Sequence, residues 1–103
     1  MKSLVEVCLE GDSMWPTFHH GDLLTFTTTF DRSTLSPGDV VLALHPFKPT
    51  VHIVKRIQSV TQDARVFLVG DQPDPIGSED SHNFGRVHIS GVLGRWTGEA
   101  KRA

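Results

Sequence analysis

Two residues of this chain could together activate and carry out a nucleophilic attack. Ser13 lies in Gly11-Asp12-Ser13-Met14-Trp15-Pro16-Thr17, just after an apolar alternation, and the flanking Gly and Pro mark a turn. A serine on such a turn can point its hydroxyl outward and leave nearby backbone N–H groups exposed. That suits a nucleophile and an oxyanion hole together. The segment reads equally as a plain turn with Trp15 as its hydrophobic plug. Lys55 stands in Val51-His52-Ile53-Val54-Lys55-Arg56-Ile57. Strand alternation puts Val51, Ile53, Lys55 and Ile57 on one face and His52, Val54 and Arg56 on the other. An apolar face disfavours the ammonium and lowers the lysine pKa from about 10.4. A neutral amine there can take a proton from a serine hydroxyl. The alternative is an edge-strand lysine whose stem covers apolar surface while its head reaches water.

The elements that must position these residues read as strands. Val5, Val7 and Leu9 alternate with Glu6 and Cys8, the period of a half-buried strand. Leu23–Phe26, Val40–Leu44, Val51–Val60, Val66–Val69 and Val87–Leu93 are rich in β-branched and apolar residues, each bounded by Gly, Pro, Asp or Ser. Gly-Asp recurs at 11–12, 21–22, 38–39 and 70–71, the last three beside strand signals as turns. No window of eleven residues or more carries a helical stripe, and six prolines disfavour long helices. The pattern predicts a mainly β fold, a compact coiled-sheet or barrel-like arrangement with tight turns and little helix. Residues 1–96 read as a single domain and 97–103 as a loose C-terminal tail.

Composition narrows the partners. The chain has 103 residues, which fits one domain with a continuous core. Net charge is −2 and the basic residues are scattered, which argues against a nucleic-acid or anionic-membrane surface. The longest apolar run, Val40–Leu44, is far short of the roughly 20 residues of a membrane span. The N-terminus has no long apolar stretch of the secretory kind. Cys8 is the one cysteine, so no intrachain disulfide forms and a reducing, cytoplasmic setting is expected. It reads as a buried thiol rather than a nucleophile. The six histidines, at 19, 20, 45, 52, 82 and 88, show no metal-ligand spacing, so neither metal nor cofactor is expected. His19 and His20 read as surface residues, and Trp15 and Trp96 as core or rim packing.

Two polar segments complete the pattern: Gly70-Asp71-Gln72, and the loop running from Gly77-Ser78-Glu79-Asp80-Ser81-His82 to Val87. Such density of Gly, Ser, Asp and Asn is ordinary loop chemistry, yet it can also hydrogen-bond an active-site amine. Ser-Met-x-Pro-Thr, Gly-Asp, a Lys-Arg strand, Gly-Asp and Ser-x-Asp-Ser, in this order from about Val7 to Arg95, resemble the catalytic domain of the type I signal peptidase family. The resemblance implies a Ser/Lys-dyad serine endopeptidase of mostly β architecture, with Ser13 as nucleophile and Lys55 as general base. It further implies that Ser78 orients the lysine, that Asp80 steadies the site, and that Arg56 follows the base as in the family's Lys-Arg pair. Gly94-Arg95 looks like the family's closing element. Arg56, on the face opposite Lys55, is expected to engage Asp80.

The chain departs from the family at three points. Gly11 stands where the family often has a serine that helps hold the oxyanion, so the hole must rest on backbone N–H, chiefly that of Ser13. Gln72 replaces an asparagine and His82 an arginine. Val7, Leu9, Phe18, Ile53 and Val54 are expected as walls of the peptide-binding pocket, because they neighbour the two dyad residues along their strands. Without an anchor or large insertions, the domain is similar to the peptidases that mature nickel-type superoxide dismutase. The implied partner is a precursor protein with an N-terminal leader. Two other readings stay open: a self-processing repressor-type domain, which shares a Ser/Lys dyad, and an inactive peptide-binding β module. The chain lacks the Ala-Gly bond that repressor-type domains cut in themselves.

Overall fold

The computed structural model describes residues 3–73 and 79–103. Seven antiparallel strands form one curled, half-closed sheet. They are β1 Leu4–Cys8, β2 Leu23–Thr27, β3 Val40–Leu44, β4 His52–Val60, β5 Arg65–Val69, β6 Val87–His88 and β7 Val92–Lys101. Helix α1, Ser81–Phe84, is a single turn, and 3-10 turns cover Arg32–Thr34 and Ile89–Gly91. The mainly β expectation holds, and the runs read as strands fall on strands except Val87–Leu93, which the 3-10 turn Ile89–Gly91 splits between β6 and the start of β7. Among the described residues, no helix is long and apolar enough to cross a membrane.

The spatial order is β1-β2-β7-β3-β4-β5-β6. Register shifts at Leu24/Phe26, Leu42/Ala43 and Ile57/Ser59 bend the sheet. Strand β3 is central and apolar on both faces, and its residues alternate between two cores. Val41 and Ala43 join Ile53, Ile57, Val66, Leu68, Val87 and Val92, while Val40 and Leu42 join Met14, Phe18, Leu24, Phe26 and Val54.

The tail expected to be loose is a strand. Strand β7 runs on to Lys101, with Ala100 and Lys101 paired to Leu24 and Leu23 of β2. Thr97 Oγ1 donates to the Thr25 carbonyl at 3.0 Å, and the Ala103 N–H donates to Asp22 Oδ1 at 2.9 Å. Asp22 is buried, and backbone N–H donors, that of His19 first and then that of Ala103, hold its carboxyl below the usual range. The side chains of 97–101 are exposed and mostly polar, so the segment carries no apolar alternation. Its order comes from main-chain pairing with a strand distant in sequence.

Two open sheet edges decide where a ligand could sit. Strand β1 pairs with β2 and ends the sheet on that side. Strand β4 pairs with β3 from His52 to Arg56, but meets β5 only from Arg56 onward. Among the described residues, its first half, His52–Lys55, therefore has one unpaired backbone edge. The curl brings this edge and β1 to the walls of one groove, which residues of both strands line.

Candidate active site

The turn that carries Ser13 is held from beneath. Met14, 1% exposed, is sunk in the second core with Phe18, so Met14 rather than Trp15 is the plug; Trp15 is 47% exposed. Ser13 stays exposed at the top of the turn. Its carbonyl accepts from the Gln72 N–H at 2.9 Å. Gly70 comes so close that an added Cβ would lie 2.5 Å from the Ser13 carbonyl oxygen, so no side chain fits there. One residue along, Asp71 accepts from Thr17 Oγ1 at 2.6 Å and from Arg56 Nε and Nη2 at 2.8 Å each. The guanidinium also donates to the Gly38 carbonyl at 2.8 Å. Hydrogen bonding by Arg56 holds the Asp71 carboxyl below its usual range.

That network corrects the pairing expected for Arg56. Alternation does turn it away from Lys55, but the carboxylate it meets is Asp71, which follows β5, and not Asp80. Gly94 and Arg95 are also not among the residues that line the groove. Gly94 packs against Phe26, and Arg95 donates to Thr34 Oγ1 at 2.7 Å.

Lys55 is 4% exposed and lies on the same face as buried Ile53 and Ile57. Desolvation pushes its pKa below the ordinary lysine value, against the opposing pull of Asp80 and, less strongly, Glu79. Among the described residues, Lys55 Nζ, Ser13 Oγ and the Ser13 N–H make no hydrogen bond, to one another or to a third group. Both residues line the groove, a space of about 740 Å³. Val7, Leu9, Ile53 and Val54 line it too.

Phe18 does not line the groove: it lies in the core edge-on to Trp96, with ring centroids 4.9 Å apart. Gly11 gives its N–H to His20 Nδ1 at 2.8 Å, which takes that donor away from any oxyanion. Cys8, expected buried, is exposed on the edge strand and borders the groove. Ser78 lies outside the described residues.

Asp80 is buried and caps α1, accepting from the His82 N–H at 2.9 Å. The His82 ring reaches the same oxygen at 3.2 Å from Nδ1. Ser81 Oγ accepts from the Leu68 N–H at 2.8 Å and anchors the helix to β5. Sequence reasoning missed His45. It follows β3, is 4% exposed, and its Nε2 lies 2.6 Å from Glu79 Oε2. Nδ1 accepts from the Phe47 N–H at 3.1 Å, which assigns the ring proton to Nε2 and makes it the donor to Glu79. Lys48 Nζ donates to Glu79 Oε1 at 3.3 Å. These bonds, His45 first, hold the Glu79 carboxyl below its usual range. The only sequence signal was a histidine directly after an apolar run. Its partner comes from a remote loop, so nothing local pointed to the pair.

Among the described residues, no three His, Cys, Asp or Glu side chains are placed to hold a metal ion. No protein-family model and no curated protein matches this chain. What the site can do is therefore read from the groove itself.

Proposed function

We propose that this chain is a serine endopeptidase of the type I signal peptidase kind, in which Ser13 attacks the scissile carbonyl and neutral Lys55 is the general base. The observation that supports this best is Lys55 itself. It is buried, it has no hydrogen-bond partner among the described residues, and desolvation disfavours its ammonium. It also faces the groove that exposed Ser13 faces. A lysine kept for structure usually carries its head to water or to a bonded carboxylate.

In this reading Lys55 Nζ takes the hydroxyl proton as Ser13 Oγ bonds to the substrate carbonyl carbon. The oxyanion accepts from the Ser13 N–H, which has no other partner among the described residues. The ammonium then protonates the leaving amine as the C–N bond breaks. Water, deprotonated by Lys55, hydrolyses the remaining ester. In this reading the Ser13–Lys55 hydrogen bond forms only with substrate in place, as catalytic contacts often do. His45 is no rival base, since both of its ring nitrogens are engaged. The substrate is an extended N-terminal leader of a precursor protein in the cytoplasm, nickel-type superoxide dismutase being the candidate. It adds as a strand between β1 and the open half of β4.

Ser13→Ala and Lys55→Ala, each shown to be folded by far-UV circular dichroism, are expected to abolish cleavage of a candidate precursor. A folded Lys55→Ala protein that cuts at a near-normal rate would eliminate the mechanism. Failure of a serine-directed acylating probe to label Ser13 would favour the inactive peptide-binding module.

A further inference from the structure

We propose that His45 is a positioning residue: by donating to Glu79 it fixes the Glu79–Asp80 carboxylates beside Lys55, and so sets the pH at which that lysine becomes a base. The inference rests on the reading of Lys55 as the general base. The loop that precedes α1 brings two carboxylates towards a lysine on another element, and a loop is a poor ruler unless something rigid holds it. Rigid support comes from both sides. On the α1 side, Ser81 is bonded to the β5 backbone and Asp80 caps the helix. On the β3 side the support is His45. Its ring is buried, is fixed in one tautomer by the Phe47 N–H, and stands edge-on to Phe84 with centroids 4.9 Å apart. From there Nε2 grips Glu79 at 2.6 Å, a short contact of the charge-assisted kind.

The charged and titratable groups facing Lys55 fall on three sides. Glu79 and Asp80 approach from the loop, and both favour the ammonium. The turn joining β3 to β4 contributes His45 and Lys48, and the start of β4 contributes His52; of these Lys48 is a cation that tempers Glu79. Across the groove stand Cys8, Glu10 and Asp12, where the chain leaves β1. Of these, Glu79 is the carboxylate whose place depends on a single buried donor. A solvent-facing Glu79, 57% exposed, would otherwise swing into water, where its field at Lys55 is screened.

The sign follows. Removing the Glu79 charge, or letting it move away, withdraws support from the ammonium, so Lys55 loses its proton at lower pH. The experiment is an NMR titration of the Lys55 side chain in the full chain, alongside the pH profile of kcat/KM. Glu79→Gln keeps an acceptor for His45 but no charge. His45→Phe keeps the ring packing but no donor. Both are expected to move the Lys55 titration and the ascending limb to lower pH, and His45→Gln, which restores a donor near Nε2, to bring them back. Unmoved titrations in folded Glu79→Gln and His45→Phe proteins would overturn the proposal and leave His45 a packing residue. Should His45→Phe fail to fold, Glu79→Gln decides alone, because its side chain is largely exposed. If the Lys55 titration shifts while the activity limb stays put, the positioning stands and the general-base reading falls.

Discussion

At the scale of the residue, a buried amine works against the fold that contains it. Lys55 must shed hydration to sit beside Ile53 and Ile57, and desolvation lowers its pKa. In the unfolded chain the same group holds its proton up to about 10.4. Between the folded and unfolded values the unfolded chain binds the extra proton, so stability rises with pH across that window. Below the folded value the penalty is constant. Lys55→Met should therefore raise Tm at neutral pH, by roughly 4–8 °C for each kcal/mol recovered in a domain this size. The advantage over the parent should narrow as pH rises, and calorimetry at several pH values checks it. If Lys55 is the general base as proposed, activity is expected to climb as Lys55 loses its proton and to be lost in Lys55→Met. An ascending limb near 6.5 that vanishes with His82→Ala would identify a histidine base instead.

At the scale of the element, the segment after β5 acts on Ser13, the proposed nucleophile, as a clamp. Gly70 touches the Ser13 carbonyl, Gln72 donates to it, and Asp71 ties Thr17 to Arg56 of β4. Gly70→Ala must push the Ser13 turn aside, because the atom it meets is backbone and cannot rotate away. Misplacing a nucleophile by about 1 Å can lower a rate on the order of 100-fold, so kcat should fall much more than KM changes. Asp71→Asn should cost roughly 2 kcal/mol, a charge-assisted bond lost at a half-buried position, measured by urea unfolding. The folded pKa of Asp71 is depressed, so this contribution is complete above about 3.9 and disappears as pH falls through the lowered value.

Strands β1 to β5 were legible in the sequence, because each is an apolar, β-branched-rich run between turn residues, whereas β6 and the start of β7 read as one run that the 3-10 turn Ile89–Gly91 divides. A period of two placed Lys55 on the face of Ile53 and Ile57, but left open whether its head reaches water, and its burial at 4% exposure is what the structure adds. The clamp was only half legible. Alternation tells which way Arg56 points, but not whether Asp71 or Asp80 arrives on that side. His45 and the end of β7 were not legible at all. One is paired through a distant loop, and the other is ordered by backbone bonds that no side-chain pattern records.

At the scale of the whole molecule, the sheet curls without closing, and its open edges face each other across the groove. Among the described residues, main-chain groups of β1 and of His52–Lys55 are left with hydrogen bonds to offer, which an extended peptide could take. Hydrogen exchange with a non-cleavable leader peptide is expected to protect amides in Val7–Leu9 or in Val51–Val54. No protection in either would count against strand addition. The same curl places Cys8, the one cysteine of the chain, exposed at the border of the groove. The molecule thereby carries a built-in attachment point for a fluorophore or spin label, needing no engineered residue. If the groove takes a peptide as proposed, the alkylation rate of Cys8 is expected to gauge occupancy: slow with peptide bound, fast without it.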